Sequence, residues 1–225
     1  MKKFILPILC CLIATSCLKE STFTATNYVD FVTSYEGKLY SDYYSGVAFT
    51  VKENKTGTSA WKKDGARFVI ECDILNRAME IRLNKLTEVS IQKAKAYLET
   101  ENEADDPVVI ANNNIGGGYL NLAVDYYADP ASDCAHDIQF FYQANDDHSE
   151  VSIHVLHSGN HENPVYMDEK KLEVRERIYS IPLEDFVKKG TPCQPSLVLY
   201  DVMKDESGNL SIQKNTYPAT GVINL

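Results

Sequence analysis

Apolar and polar residues alternate along most of this chain, with the two-residue period of strands that bury one face. In Arg67 to Leu75, Phe68, Ile70, Cys72 and Ile74 fall on one side and Arg67, Glu71 and Asp73 on the other. Met79, Ile81 and Leu83 then alternate with Glu80, Arg82 and Asn84, so Asn76-Arg77 closes a hairpin whose buried face is set. Upstream, Tyr28 to Tyr35 and Lys38 to Tyr44 flank the turn pair Glu36-Gly37, and Val47 to Val51 continues the alternation. Short strands in such quick succession predict a small barrel over residues 28–98. Ser90 to Leu98 reads as helical rather than extended, and it leads into an acidic, unpatterned stretch over 99–107, expected to be a linker.

Beyond the linker the alternation returns. Leu120, Leu122 and Val124 oppose Asn121 and Asp125; Ile138, Phe140 and Tyr142 follow; Val151, Ile153 and Val155 oppose Ser152 and His154. Further strands are predicted over Val174 to Ile181, Ser196 to Val202, Leu210 to Tyr217 and Gly221 to Leu225. With Asp-Pro, Ser-Gly and Gly-Asn turns between them, residues 108–225 predict an antiparallel β-sandwich. A helical turn or two should interrupt it. Pro182, then Glu184 and Asp185, then Lys188 and Lys189, then Gly190 supply start, dipole and stop signals in order.

The opening stretch has a different pattern. Lys2 and Lys3 precede an apolar run from Phe4 to Ile13, and small residues Ala14-Thr15-Ser16 stand before Cys17. The run is shorter than the roughly 20 apolar residues a membrane span needs. It resembles a bacterial lipoprotein signal, which predicts removal of residues 1–16 and a lipid on the Cys17 thiol. Residues 17–27 then form a polar tether.

Charge narrows the partners. The formal charge is -10, and without Lys2 and Lys3 it becomes -12. A surface of that sign repels phosphate backbones and anionic head groups, which argues against nucleic acid and leaves the N-terminal lipid as the expected contact with the membrane. Of the 6 cysteines, Cys10 and Cys11 lie in the leader and Cys17 is assigned to lipid. Cys72 shares the apolar face of its strand and reads as a buried structural thiol. Cys134 and Cys193 both sit in turn-like sequence, and export to an oxidising compartment makes them candidates for a disulfide. The sequence does not place their Cα atoms within the ~6 Å that a bridge needs, so pairing stays open.

Motifs for chemistry are sparse. All 5 histidines fall between His136 and His161, but His154 and His157 would point to opposite faces of one strand, and no third ligand stands beside His157 and His161. No metal or cofactor is therefore expected. Gly116-Gly117-Gly118 precedes a strand rather than the helix a phosphate loop requires, and reads as a bulged lead into the sandwich. No nucleophile elbow or His-Glu-x-x-His motif is present, and no catalytic residue can be named. Tyr28, Tyr35, Tyr40, Tyr43 and Tyr44 crowd the first strands. They read first as barrel core and wall, with a stacking platform as the alternative.

The order of leader, tether, Asp64-Gly65-Ala66-Arg67-Phe68-Val69-Ile70, acidic junction at Asp106-Pro107, and Ile115-Gly116-Gly117-Gly118-Tyr119-Leu120-Asn121-Leu122 resembles the NigD-like lipoproteins of Bacteroidota over nearly the whole chain. The resemblance implies an N-terminal OB-like domain and a C-terminal β-sandwich, an outer-membrane location on either face, and no established activity. Two functions follow as expectations. One is a non-catalytic envelope lipoprotein that binds a protein or glycan partner. The other is an envelope hydrolase whose site is assembled from residues distant in sequence.

Overall fold

The computed structural model describes residues 24–98, 106–130, 135–159, 172–208 and 210–220. All its long elements are strands. The first five are β1 (Ala25–Tyr35), β2 (Lys38–Ser41), β3 (Ala48–Asn54), β4 (Arg67–Ile74) and β5 (Glu80–Ile91). They pair in the circular order β1-β2-β3-β5-β4-β1, in which only the β3–β5 contact is parallel. This closes an OB-like barrel and leaves it no free edge. The β1–β2 hairpin turns on Glu36 and Gly37, both in the left-handed region at φ 49 and 70, the conformation that a two-residue turn of matching twist needs. Inside are Val32, Leu39, Phe49, Phe68, Ile70, Cys72, Ile74, Ile81 and Leu83, the alternating face that the sequence marks. Cys72 is a buried thiol, and burial pushes its pKa up to about 12, which keeps it inert.

The later strands are β6 (Lys95–Ala96), β7 (Val108–Gly116), β8 (Tyr119–Ala128), β9 (Asp137–Ala144), β10 (Val151–Ser158), β11 (Glu173–Pro182), β12 (Ser196–Lys204) and β13 (Leu210–Pro218). Strands β11, β8 and β7 extend the barrel sheet beyond β5, and a second sheet runs β13-β12-β10-β9-β6. Leu120, Leu122, Val124, Ile153, Val155, Ile181 and Leu197 fill the space between the two sheets. Most neighbours in this sandwich are antiparallel. The β10–β12 pair is parallel because β11 crosses to the other sheet between them.

Two local expectations change. Ser90 to Leu98 is not helical: β5 runs to Ile91, the Gln92 N–H donates to the Ser180 carbonyl (3.1 Å), and Lys95–Ala96 pair with Phe141 and Tyr142 of β9. Sheet partners on both sides satisfy a backbone that propensity alone would coil. The start and stop signals after Pro182 yield one 3-10 turn, Leu183–Asp185, because Phe186 and Val187 are drawn into the core directly after it. Cys17, the leader, Cys134, His161, most of the acidic stretch and the strand expected over Gly221 to Leu225 lie outside the described residues. Cys193 is buried and has no disulfide partner among the described residues, and burial raises its pKa. Among the described residues no helix is long and apolar enough to cross a membrane.

Candidate binding surface

The barrel and the sandwich meet at Arg67, whose side chain is 0% exposed. A guanidinium has five N–H donors, and here each finds an acceptor. Nε donates to Ser180 Oγ (2.8 Å), Nη1 to Thr33 Oγ1 (2.7 Å) and Asp42 Oδ1 (3.2 Å), and Nη2 to Asn121 Oδ1 (2.9 Å) and Asp42 Oδ2. The Tyr119 ring covers the guanidinium at 3.8 Å. Asn121 Nδ2 donates in turn to Asp42 Oδ2 (3.1 Å) and Asn114 Oδ1 (2.8 Å). A buried charge pair is tolerated when its remaining donors and acceptors are satisfied, as they are here. The two sequence stretches that carry the family resemblance are thus the two sides of one contact.

The glycine run belongs to the same contact. A Cβ on Gly117 would stand 2.1 Å from Asp42 Oδ1, and Gly117 has φ +59, whereas Gly118, at φ +84, faces open space. Gly118→Ala is expected to cost about 1 kcal/mol through its backbone alone, and Gly117→Ala about 2 kcal/mol because Asp42 must also move. Urea unfolding of the two variants measures the difference, and equal costs would contradict the assigned contact.

Directly after Asp42, the turn that follows β2 holds Tyr43 and Tyr44. Asp30 on β1 is buried, and its Oδ2 accepts from Tyr28 Oη (3.0 Å) and Ser41 Oγ. The Tyr43 backbone also donates to Asp30, and the Tyr44 N–H donates to Ser41 Oγ (2.9 Å). Burial raises the Asp30 pKa against the opposing hydrogen bonds from Ser41 and Tyr28. Burial and then the Asp30 charge push the Tyr28 phenol up, so it stays a donor. The turn after β2 is therefore pinned from beneath. Its rings continue inward as a ladder, with Tyr43 against Tyr44 at 4.7 Å and 86°, Tyr44 against Tyr28 at 6.3 Å, and Tyr28 against the core residue Phe49 at 5.8 Å.

The outer end of this ladder is open to solvent, with Tyr43 76% and Tyr44 48% exposed. Tyr35 and Tyr40, also exposed, form a second pair at 6.4 Å. Of the five, Tyr28 packs against the barrel core and Tyr35 and Tyr40 lie on the wall strands β1 and β2, whereas Tyr43 and Tyr44 belong to neither core nor wall. The alternation of the strands could not show it, because Tyr43 and Tyr44 lie past the end of β2.

The histidines are dispersed. His136 Nδ1 and His157 Nε2 share a hydrogen bond of 3.0 Å beside the Tyr126 ring, and His148 Nδ1 bonds the Phe186 carbonyl at 2.8 Å. His154 is buried under Tyr97, ring to ring at 3.7 Å, and neither of its nitrogens has a hydrogen-bond partner among the described residues. Burial, then the charge of Lys214, lowers its pKa to about 4. Among the described residues no group of three or more His, Cys, Asp or Glu is placed to hold a metal ion. A cavity of about 630 Å³ opens where β5 splays from β11, lined by Glu88, Gln92, Asp137, Glu176, Arg177 and Tyr179 among others. Among the described residues neither histidine nor cysteine lines it.

Fold and surface together define a barrel-plus-sandwich protein that displays aromatic rings on the barrel. The sequence matches no family model and no curated protein. Solved structures do match. A NigD-like immunity protein from Bacteroides caccae shares the fold with TM-score 0.60 at 16% identity, over 88% of this chain and 97% of that one. A candidate toxin-related protein from Parabacteroides distasonis gives 0.55 at 19%, over 84% and 92%. A candidate lipoprotein from Bacteroides fragilis gives 0.55 at 8%, over 86% and 97%. At these identities the likeness is one of fold, and it agrees with the resemblance to the NigD-like lipoproteins of Bacteroidota.

Proposed function

We propose that this chain is a NigD-like envelope lipoprotein, anchored at the outer membrane through lipid on Cys17. It has no catalytic role and holds a protein or glycan partner through the tyrosine turn after β2. One observation carries the binding reading: Tyr43 and Tyr44 are exposed yet fixed by Asp30, Ser41 and the ring ladder. Aromatic rings left in water are a cost to a monomer unless a partner covers them. The candidate lipoprotein among the structural neighbours supports the anchor. The alternative, an envelope hydrolase, would have to work with the carboxylates of the β5–β11 cavity.

Two experiments test this. The full chain grown with an alkyne fatty acid is expected to take up label, and Cys17→Ser to take up none; label on the variant would overturn the attachment site. Affinity capture from intact cells is expected to recover a partner that a Tyr43→Ala, Tyr44→Ala double variant loses. Equal recovery by both would overturn the assigned surface.

A further inference from the structure

Resting on that reading of the tyrosine turn, the geometry points to a neutral saccharide as the ligand, one pyranose ring lying on the face of Tyr43. The size of the platform is the first reason. Tyr44 meets Tyr43 at 86°, so the turn offers one broad ring face and a short side wall. That is the footprint of a single sugar ring, whereas a protein partner covers about 800 Å² on each side. Chemistry is the second reason. A pyranose turns one face of C–H groups outward, and the electron-rich face of a phenol attracts such polarised hydrogens. Beside the rings, the exposed Ser45 and the backbone of Gly46, at φ 80, can meet the hydroxyl rim.

Charge is the third reason. No lysine or arginine occurs between Leu39 and Val51, and both carboxylates there and beneath are occupied, Asp42 by Arg67 and Asp30 by Tyr28 and Ser41. This stretch itself therefore supplies no cation for a phosphate or an acidic sugar, and it offers a nucleic acid rings to stack on but no charge for its backbone. Rigidity completes the case. Because the ladder from Phe49 through Tyr28 and Tyr44 already holds the Tyr43 ring, little side-chain freedom is lost when a sugar docks.

The test is saturation-transfer NMR on the full chain in detergent with cellohexaose, maltohexaose, laminarihexaose, mannohexaose and xylohexaose. At least one is expected to receive saturation at ring C–H protons. Tyr43→Ala should weaken that binding about tenfold, the effect of losing one stacked ring of about 1.4 kcal/mol, while Tyr43→Trp retains it. Tyr35→Ala, at the other exposed pair, should leave it unchanged. No transfer to any of the five sugars would overturn the saccharide assignment, as would transfer unaffected by Tyr43→Ala. If the sugars fail while cell capture of a protein still depends on Tyr43 and Tyr44, the surface stands and its ligand is a protein. If both fail, the surface itself falls.

Discussion

Arg67→Ala is expected to lower folding stability by about 3–5 kcal/mol, the range for breaking a buried ion pair by removing one partner. The Asp42 side chain, 5% exposed, would be left as a buried carboxylate without its cation, and Thr33, Asn121 and Ser180 would each lose a donor. The loss should exceed that of a typical core truncation on the barrel side because the affected groups belong to both cores. Urea unfolding should also broaden or split, since one cooperative transition requires the two units to unfold together. A double-mutant cycle with Asp42→Asn separates the pair from its surroundings, and a coupling energy of about 1–3 kcal/mol is expected for residues in direct contact. An Arg67→Ala loss below about 1 kcal/mol would show that the guanidinium is not the clamp described.

The second large effect depends on pH. His154 titrates at about 4 in the folded chain and near 6.5 when unfolded. Above 6.5 neither state binds the proton, and its contribution is constant. As pH falls from 6.5 to 4 the unfolded chain takes up a proton that the folded chain refuses, so stability is lost through that window, reaching about 3 kcal/mol. Lys214 and Tyr97 are the groups that face the ring and keep it neutral, the first by repulsion and the second by cover. His154→Phe keeps the stacking on Tyr97 and removes the titration. Its unfolding midpoint should therefore fall less between pH 7 and pH 4.5 than that of the parent chain. Parallel midpoints across that range would contradict the assignment.

Much of the fold could be read before any coordinates, because strand alternation is a local signal. The β4–β5 hairpin was legible from Phe68, Ile70 and Cys72 facing Ile81 and Leu83 across one turn. Ser90 to Leu98 misled because its conformation is decided by β9 and β11, strands distant in sequence. The site was less legible. Arg67 and Gly117 stood out in the motifs, but a sequence gives no sign that an arginine on one strand and glycines fifty residues later converge on the same aspartate. The display of Tyr43 was hidden for another reason, as exposure beyond a strand end depends on how the turn folds.

The pinning of the turn through Asp30 has a mechanical consequence. Asp30 lies on β1, the first described strand of the chain and the one nearest in sequence to Cys17, and β1 sits between β2 and β4 in the barrel. A pull on something held at Tyr43, with the chain's N-terminus fixed, would pass through Asp30 into β1 and load it along its length. Lengthwise load on a strand flanked on both sides is resisted by its backbone hydrogen bonds acting together, not parted one at a time. Because Asp42 adjoins Tyr43, part of the same tension would reach the Arg67 contact, while the barrel carried the rest.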